Sequence, residues 1–430
     1  MSIRVRSIHL AWIVAALTML ALVAGAAFRS TTGALFEPME TEFGWTRSGT
    51  SGAVTLNLIV YGLTAPFAAA AMERLGVKRV VLAGLGLTAL GSALTVFMTE
   101  LWQLWILWGL FVGVGTGVMA LVFGSIVANR WFVRHRGLVM GIFSGGNACG
   151  QLIFLPLIVA LAEHEGWRAA ALATALVAAA IIPFVARYFA DSPYAVGLRP
   201  YGEEAESPEP APAKPQVSPA RMALRVLRES LARRPFWILI FTFWVCGWST
   251  NGLIQTHFIP AAHDHGMPAT TAAGLLALIG VFDLIGTVAS GWLTDRFNPA
   301  ILLVCYYALR GLSLVFVNSL LGPSIEPPLW VFIVFYGLDW VATVPPTAAL
   351  CREHFGIERA SVVFGWVFAS HMVGAGVAAA TAGWLRETTG SYHPAWISAA
   401  VLCWLAAASL FWLRKAPVPQ ESQASPDRVH

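Results

Sequence analysis

Leu101–Ala128 reads LWQLWILWGLFVGVGTGVMALVFGSIVA, 28 residues without one Asp, Glu, Lys or Arg. A helix of about 20 apolar residues crosses the hydrocarbon of a bilayer, and a helix satisfies every backbone polar group internally. The stretch therefore reads as a membrane span. Gly109, Gly113 and Gly117 recur at every fourth position, a stripe that lets another helix approach closely. Gly113-Val114-Gly115-Thr116-Gly117 is spelled like a nucleotide-cradling loop. It follows no strand and lies inside hydrocarbon, so it reads as packing.

Eleven further blocks of the same kind surround it. Before and beside it lie Ile8–Phe28, Ala53–Met72, Val80–Met98, Leu138–Leu161 and Ala169–Ala186. After a gap come Phe236–Phe258, Thr271–Leu293, Ala300–Leu320, Pro328–Leu350, Ser361–Leu385 and Ala395–Leu413. The whole 430-residue chain is 57% hydrophobic and only 12% charged, whereas soluble proteins carry about 25% charged residues. This composition excludes a soluble enzyme, a nucleic-acid binder, a disordered regulator and a single-anchor protein. The expected fold is an all-α membrane protein, with twelve transmembrane helices in two pseudo-symmetric six-helix bundles. The expected divisions are 1–190, a cytoplasmic linker 191–235, 236–415 and a disordered tail 416–430. The first block follows Arg4 and Arg6 like a signal peptide. It is too long for an h-region and runs into Arg29 rather than a cleavage site, so it is kept as a span. Trp12, Trp102, Trp167, Trp330 and Trp396 lie near block ends, where interfacial aromatics are expected.

The gap differs in composition. Glu203-Glu204-Ala205-Glu206 and the Pro-rich Ser207–Ser218 lack the apolar surface needed to order themselves. Arg221, Arg225, Arg228, Arg233 and Arg234 follow at near-helical spacing, as expected of a segment lying along acidic headgroups. With loops alternating from a cytoplasmic amino terminus, 22 of the 27 Lys and Arg fall inside and three outside. That bias places both termini in the cytoplasm, in the cell (inner) membrane. Cys149, Cys246, Cys305, Cys351 and Cys403 all belong to apolar blocks without ligand spacing, and read as packing residues. His263-Asp264-His265 lacks a third clustered ligand for a metal.

The two halves echo each other. Met72-Glu73-Arg74-Leu75-Gly76-Val77-Lys78-Arg79 follows the second block, and Gly291-Trp292-Leu293-Thr294-Asp295-Arg296-Phe297 follows the eighth. Each sets an acid beside an arginine at the inner mouth of the same span of its half. On these residues the chain resembles the major facilitator superfamily, whose loop between spans two and three carries a Gly-x-x-x-Asp-Arg-x-Gly-type motif. Here Glu73 stands for the aspartate and Ala69 for the leading glycine. More closely it resembles bacterial relatives of the monocarboxylate porters and oxalate/formate-type antiporters. The matching stretches are Phe28–Gly33, Glu42–Ser48, Asn129–Gly137 and Gly280–Asp283. The resemblance implies a secondary transporter that moves a solute, with protons, by alternating access.

A charge inside a span is costly and defaults to a functional reading. The candidates are Arg29, Asp283, Arg310, Asp339 and His371. The resemblance implies that Arg29 meets a substrate carboxylate, for which a guanidinium is well shaped; a snorkelling interface arginine is the alternative. It implies proton coupling by Asp283, which an unpaired aspartate in a low-dielectric cavity can support; a structural pair with Arg310 is the alternative. The porters have an arginine four residues after this aspartate, whereas here the position is Thr287. The positive charge then falls to Arg29 or Arg310, or the cargo is not a simple monocarboxylate. Arg310 and Asp339 are assigned to gating, with cargo contact open for both. The Pro345-Pro346 pair after Asp339 marks a hinge. Oxalate-type relatives have a cation in span eleven, so His371 reads as a titratable substitute or as a packed histidine.

The remaining substrate-facing candidates are Asn57 and Tyr61, Asn147 and Gln151, and Asn251 and Gln255, with Ser249, Thr250 and His257 in the same polar strip. The gate is assigned to Glu73, Arg74, Asp295 and Arg296. Neither a nucleophile–base pair nor a metal motif appears, so an enzyme is not expected, and no cofactor is called for. The expected partners are a small organic anion, protons and the bilayer, with no nucleic acid, and the chain is expected to be a monomer. A proton-exchanging efflux pump for a metabolite or drug is the runner-up. Such exporters resemble one another in a Gly-Pro-x-x-Gly-Gly pattern, where this chain has Ser144-Gly145-Gly146-Asn147-Ala148-Cys149-Gly150 without proline.

Overall fold

The computed structural model describes residues 9–30, 32–203 and 218–413. Nearly all of this is helix; the sole β pairing among the described residues is a bridge from Phe132 to Tyr201. The first half runs through Leu10–Ser30, Arg47–Leu75, Val77–Leu94, Leu101–Trp131, Arg136–Glu165 and Trp167–Tyr188. The second runs through Arg234–Asp264, Ala269–Thr294, Pro299–Leu320, Pro327–Phe355, Ile357–Thr389 and His393–Leu410. These are numbered below as the first to twelfth spans. Ten of them contain a described stretch long and apolar enough to cross a membrane. Two shorter helices, Thr32–Phe43 and Pro219–Leu231, lie between spans.

Where successive spans reverse with almost no loop, glycine makes the turn. Gly76 sits at φ 93°, a region that side chains disfavour. A methyl there would also strike the Asp191 carboxylate, 2.6 Å away. That carboxylate accepts the Lys78 N–H at 2.7 Å, so it caps the third span at its positive end.

Three spans are irregular, and the sequence shows only part of this. The fourth and seventh contain π-helical turns at Trp105–Val112 and Trp248–Ile254. The tenth is interrupted between Asp339 and Val344. The interruption precedes Pro345-Pro346, which occupy the first turn of Val344–Phe355, where a missing N–H leaves no helix bond unmade.

The glycine stripe of the fourth span packs as its spacing implies. Gly109, Gly113 and Gly117 meet Leu56, Val60 and Thr64 of the second span, and Gly115 on another face meets Thr88 of the third, so the span wedges between the two. The halves meet through equally close approaches. Gly137 and Gly141 of the fifth span face Gly291 and Thr287 of the eighth, and Gly62 and Pro66 of the second face Met372 and Gly365 of the eleventh.

Trp167 and Trp396 are enclosed by protein, while Trp102 and Trp330 are exposed. Two expectations need correction. The arginine-rich part of the linker is a helix docked on protein, not only a surface segment. Its face of Ala223, Val226 and Ser230 is buried against the second and eleventh spans. Trp366 donates to the Ala223 carbonyl at 3.1 Å, and Glu229 pairs with Arg359 at 2.8 Å. Arg221, Arg225 and Arg228 stay exposed. Cys246, Cys351 and Cys403 are buried as packing residues, but Cys305 is exposed; Cys149 lies outside the described side chains.

Candidate functional site

The interruption in the tenth span creates the strongest polar centre. Broken helix leaves carbonyls without partners, and a guanidinium offers five donors to meet them. Arg310 of the ninth span, fully enclosed, fills that role. Its Nη2 donates to the Asp339 and Trp340 carbonyls, and its Nε donates to Asp339 Oδ2 at 2.6 Å. Its Nη1 reaches Ser249 Oγ at 3.3 Å and Cys246 Sγ at 3.5 Å on the seventh span. The Tyr336 hydroxyl donates to the Ser249 carbonyl at 2.8 Å, and that of Tyr307 to the Thr242 carbonyl at 2.6 Å. Arg310 and Asp339 thus form one buried pair that fixes the ninth and tenth spans to the π turn of the seventh.

Asp283 is fully enclosed one helix away. Its Oδ1 accepts from the Thr287 hydroxyl at 2.7 Å and from Val341 N–H, inside the tenth-span interruption, at 2.9 Å. Its Oδ2 is buried without a partner. The ion pair with Arg310 that the sequence left open does not form, because the guanidinium is taken by Asp339. Thr287, which replaces the porters' arginine, supplies a neutral donor to the same carboxylate.

His371 lies on the eleventh span beside the Cys246 thiol. Its ring stacks on Phe368, with centroids 6.0 Å apart, and lies 5.0 Å from Phe243. Its Nδ1 is buried without a partner. Tyr61 of the second span meets Phe368 edge-on at 5.6 Å, so an aromatic chain connects the first half to His371. Asn57 turns away from this chain and donates to the Trp108 carbonyl at 2.7 Å, inside the fourth-span π turn. Asn251 Oδ1 accepts from Thr250 at 3.1 Å within the seventh-span π turn, and Gln255 is exposed. His257 lies between the Ala379 carbonyl at 2.9 Å and the Tyr392 hydroxyl at 3.4 Å, a fastening among three spans. The side chains of Arg29, Asn147 and Gln151 lie outside the described residues.

The end where Arg130, Arg136 and Arg352 cluster is closed, and it is called the basic end below. Asp295 reaches across the halves and accepts the Gly137 and Leu138 N–H groups at 2.7 and 2.9 Å. A carboxylate there meets both unpaired donors and the positive end of the fifth span. Arg352 donates across the halves to Asn129 Oδ1 at 3.3 Å. Neither acid bonds the arginine beside it in sequence. Glu73 pairs with Arg130. Arg296 lies over its own Trp292 ring at 3.9 Å, and Arg74 makes no ion pair among the described residues.

At the opposite end each half is fastened to itself. Glu42 pairs with Arg168 at 2.6 Å and accepts Trp167 Nε1–H at 2.7 Å. Asp264 pairs with Arg386 at 2.6 Å. The Arg168 hydrogen bond, then that from Trp167, hold the Glu42 carboxyl below its usual range. Among the described residues, the hydrogen bonds joining one half to the other lie at the basic end. Sequence reasoning missed the Glu42 and Asp264 fastenings, although their signal was present: in each half an acid after the first span faces an arginine between the fifth and sixth.

The Major Facilitator Superfamily family model matches residues 17–368 and 258–429. The chain is 24% identical over 395 residues to an uncharacterized MFS-type transporter, YcxA, of Bacillus subtilis (strain 168), covering 89% of this chain and 90% of that one. It is 30% identical over 356 residues to monocarboxylate transporter 13 of Bos taurus, covering 81% and 76%. A solved structure of a double-Trp XylE mutant superposes with a TM-score of 0.70 at 13% identity, covering 94% and 95%. That last likeness is one of fold.

Proposed function

This chain belongs to the Major Facilitator Superfamily and is a transporter rather than an enzyme, and from that premise we propose that it moves a small monocarboxylate-like anion together with protons. The basic end faces the cytoplasm on this reading, since positive residues collect on that side of a bilayer, and both termini lie there. The two halves rock about the contacts of the second with the eleventh span and the fifth with the eighth, exposing the cargo alternately to either side. The relatives named as monocarboxylate transporters support the cargo class.

The observation that carries the coupling is the Asp283 carboxyl, enclosed with Oδ1 doubly bonded and Oδ2 bare. A buried polar atom without a partner needs a reason, and an oxygen that takes and releases a proton as the halves move supplies one. Arg310 is committed to Asp339, so the cation for the cargo carboxylate is assigned to Arg29, and His371 and Tyr61, which meet through Phe368 between the halves, are assigned to the same cargo. Asp339 and Arg310 then serve the moving tenth span, and Asp295 the closure of the cytoplasmic end.

Uptake of labelled monocarboxylates into proteoliposomes under an imposed pH gradient tests this. Asp283→Asn is expected to abolish gradient-driven accumulation while leaving counterflow exchange intact; unchanged accumulation would remove Asp283 from the coupling. Arg29→Ala is expected to abolish both, and full affinity for the anion in that variant would dismiss the cation assignment.

A further inference from the structure

Between the halves at the basic end lies a hollow of about 30 Å³, lined by Asn129, Arg136 and Gly137 of the first half and Asp295, Ala349 and Arg352 of the second. By the same measure one water needs about 10–15 Å³, so the space takes two waters or one small ion. Its wall is unbalanced in charge. Arg136 uses Nε on the Phe132 carbonyl, and Arg352 uses Nη1 on Asn129. Each guanidinium has five N–H groups, and the others have no bond among the described residues. The lining acid, Asp295, has both oxygens engaged by the Gly137 and Leu138 N–H groups.

The acids beyond the wall do not correct this. Glu203 accepts from the Tyr194 hydroxyl, and Glu353 is the chain neighbour of Arg352. Among the described residues, neither Arg136 nor Arg352 makes an ion pair with an acid. Two like charges therefore face a shared hole, one from each half, with donors to spare.

We propose that this hollow binds one small monovalent inorganic anion of about the size of chloride, held jointly by Arg136 and Arg352 while the basic end is closed. Because each half supplies one arginine, parting the halves destroys the site. The anion then favours the closed state by its difference in affinity for the two states. This site is separate from the cargo's and does not depend on what the cargo is.

The test uses the purified full-length chain in detergent at constant ionic strength, with chloride replaced by the much larger gluconate. Chloride at about ten times its half-saturating concentration is expected to raise Tm by roughly 1.5 °C and to slow maleimide labelling of Cys351, which is buried at this end. Arg352→Gln is expected to lose both responses and Arg352→Lys to keep part of them. Ala349→Leu retains both arginines and fills the hollow, so it too is expected to lose them; its Tm in gluconate reports that it is folded. Wild-type protein indifferent to chloride, or an undiminished response in Ala349→Leu, would overturn the proposal. A response to acetate without one to chloride would also overturn it, and would make the hollow a station on the cargo's path.

Discussion

Arg310 illustrates how a single intramembrane charge takes its meaning from what surrounds it. In the sequence it is an isolated cation within an apolar block, equally suited to cargo or to a neighbouring helix. In the fold it binds Asp339 and two carbonyls of the interrupted tenth span. Removing one member of such a pair leaves an uncompensated buried charge, whereas replacing both with apolar residues is often neutral. Arg310→Met is therefore expected to cost about 3–5 kcal/mol. The double variant Arg310→Met/Asp339→Leu is expected to recover most of that in unfolding experiments without recovering transport. A single variant as stable as the wild type would show that the pair does not hold the interruption in place.

The helices act as elements through their close approaches and end fastenings. Gly141 packs under the Thr287 carbonyl of the opposite half, so Gly141→Leu is expected to keep the protein folded, as judged by gel filtration, while reducing transport at least tenfold. Normal transport would mean that the fifth and eighth spans need not touch. The Glu42–Arg168 fastening makes a pH-dependent prediction. A carboxyl held below its usual range adds stability that is present above that range and lost as pH falls through the lowered value. Both partners are more than a third exposed, and such pairs contribute about 0–1 kcal/mol. Glu42→Gln is therefore expected to lower Tm slightly at neutral pH and to match the wild type in strong acid. A difference that grows on acidification would reverse the assigned sign.

For the whole molecule, the position of the cross-half bonds matters more than their number. Asp295 joins the second half to the amino end of the fifth span, an arrangement worth about 1 kcal/mol, or roughly a fivefold change in an equilibrium. Asp295→Ala is expected to shift the population toward a state open at the basic end. The rate of maleimide labelling of buried Cys351 should then rise about fivefold. Equal rates for Cys351 in variant and wild type would remove Asp295 from the gate.

The sequence alone determined the class of the molecule. Twelve apolar blocks, a charged gap after the sixth and the bias of Lys and Arg follow from the cost of exposing polar groups to hydrocarbon, which acts on each segment independently. The glycine stripe of the fourth span was legible for the same reason, because it depends on spacing along one helix. Tertiary structure decided which charge meets which. It gave Arg310 to Asp339, left one oxygen of Asp283 bare, turned Asn57 inward to a π turn, and sent Asp295 to a helix end instead of to Arg296. Those choices depend on the rotation and depth of packed helices and on where a helix breaks. Both are set by contacts between residues far apart in the chain, which hydropathy along a single block does not encode.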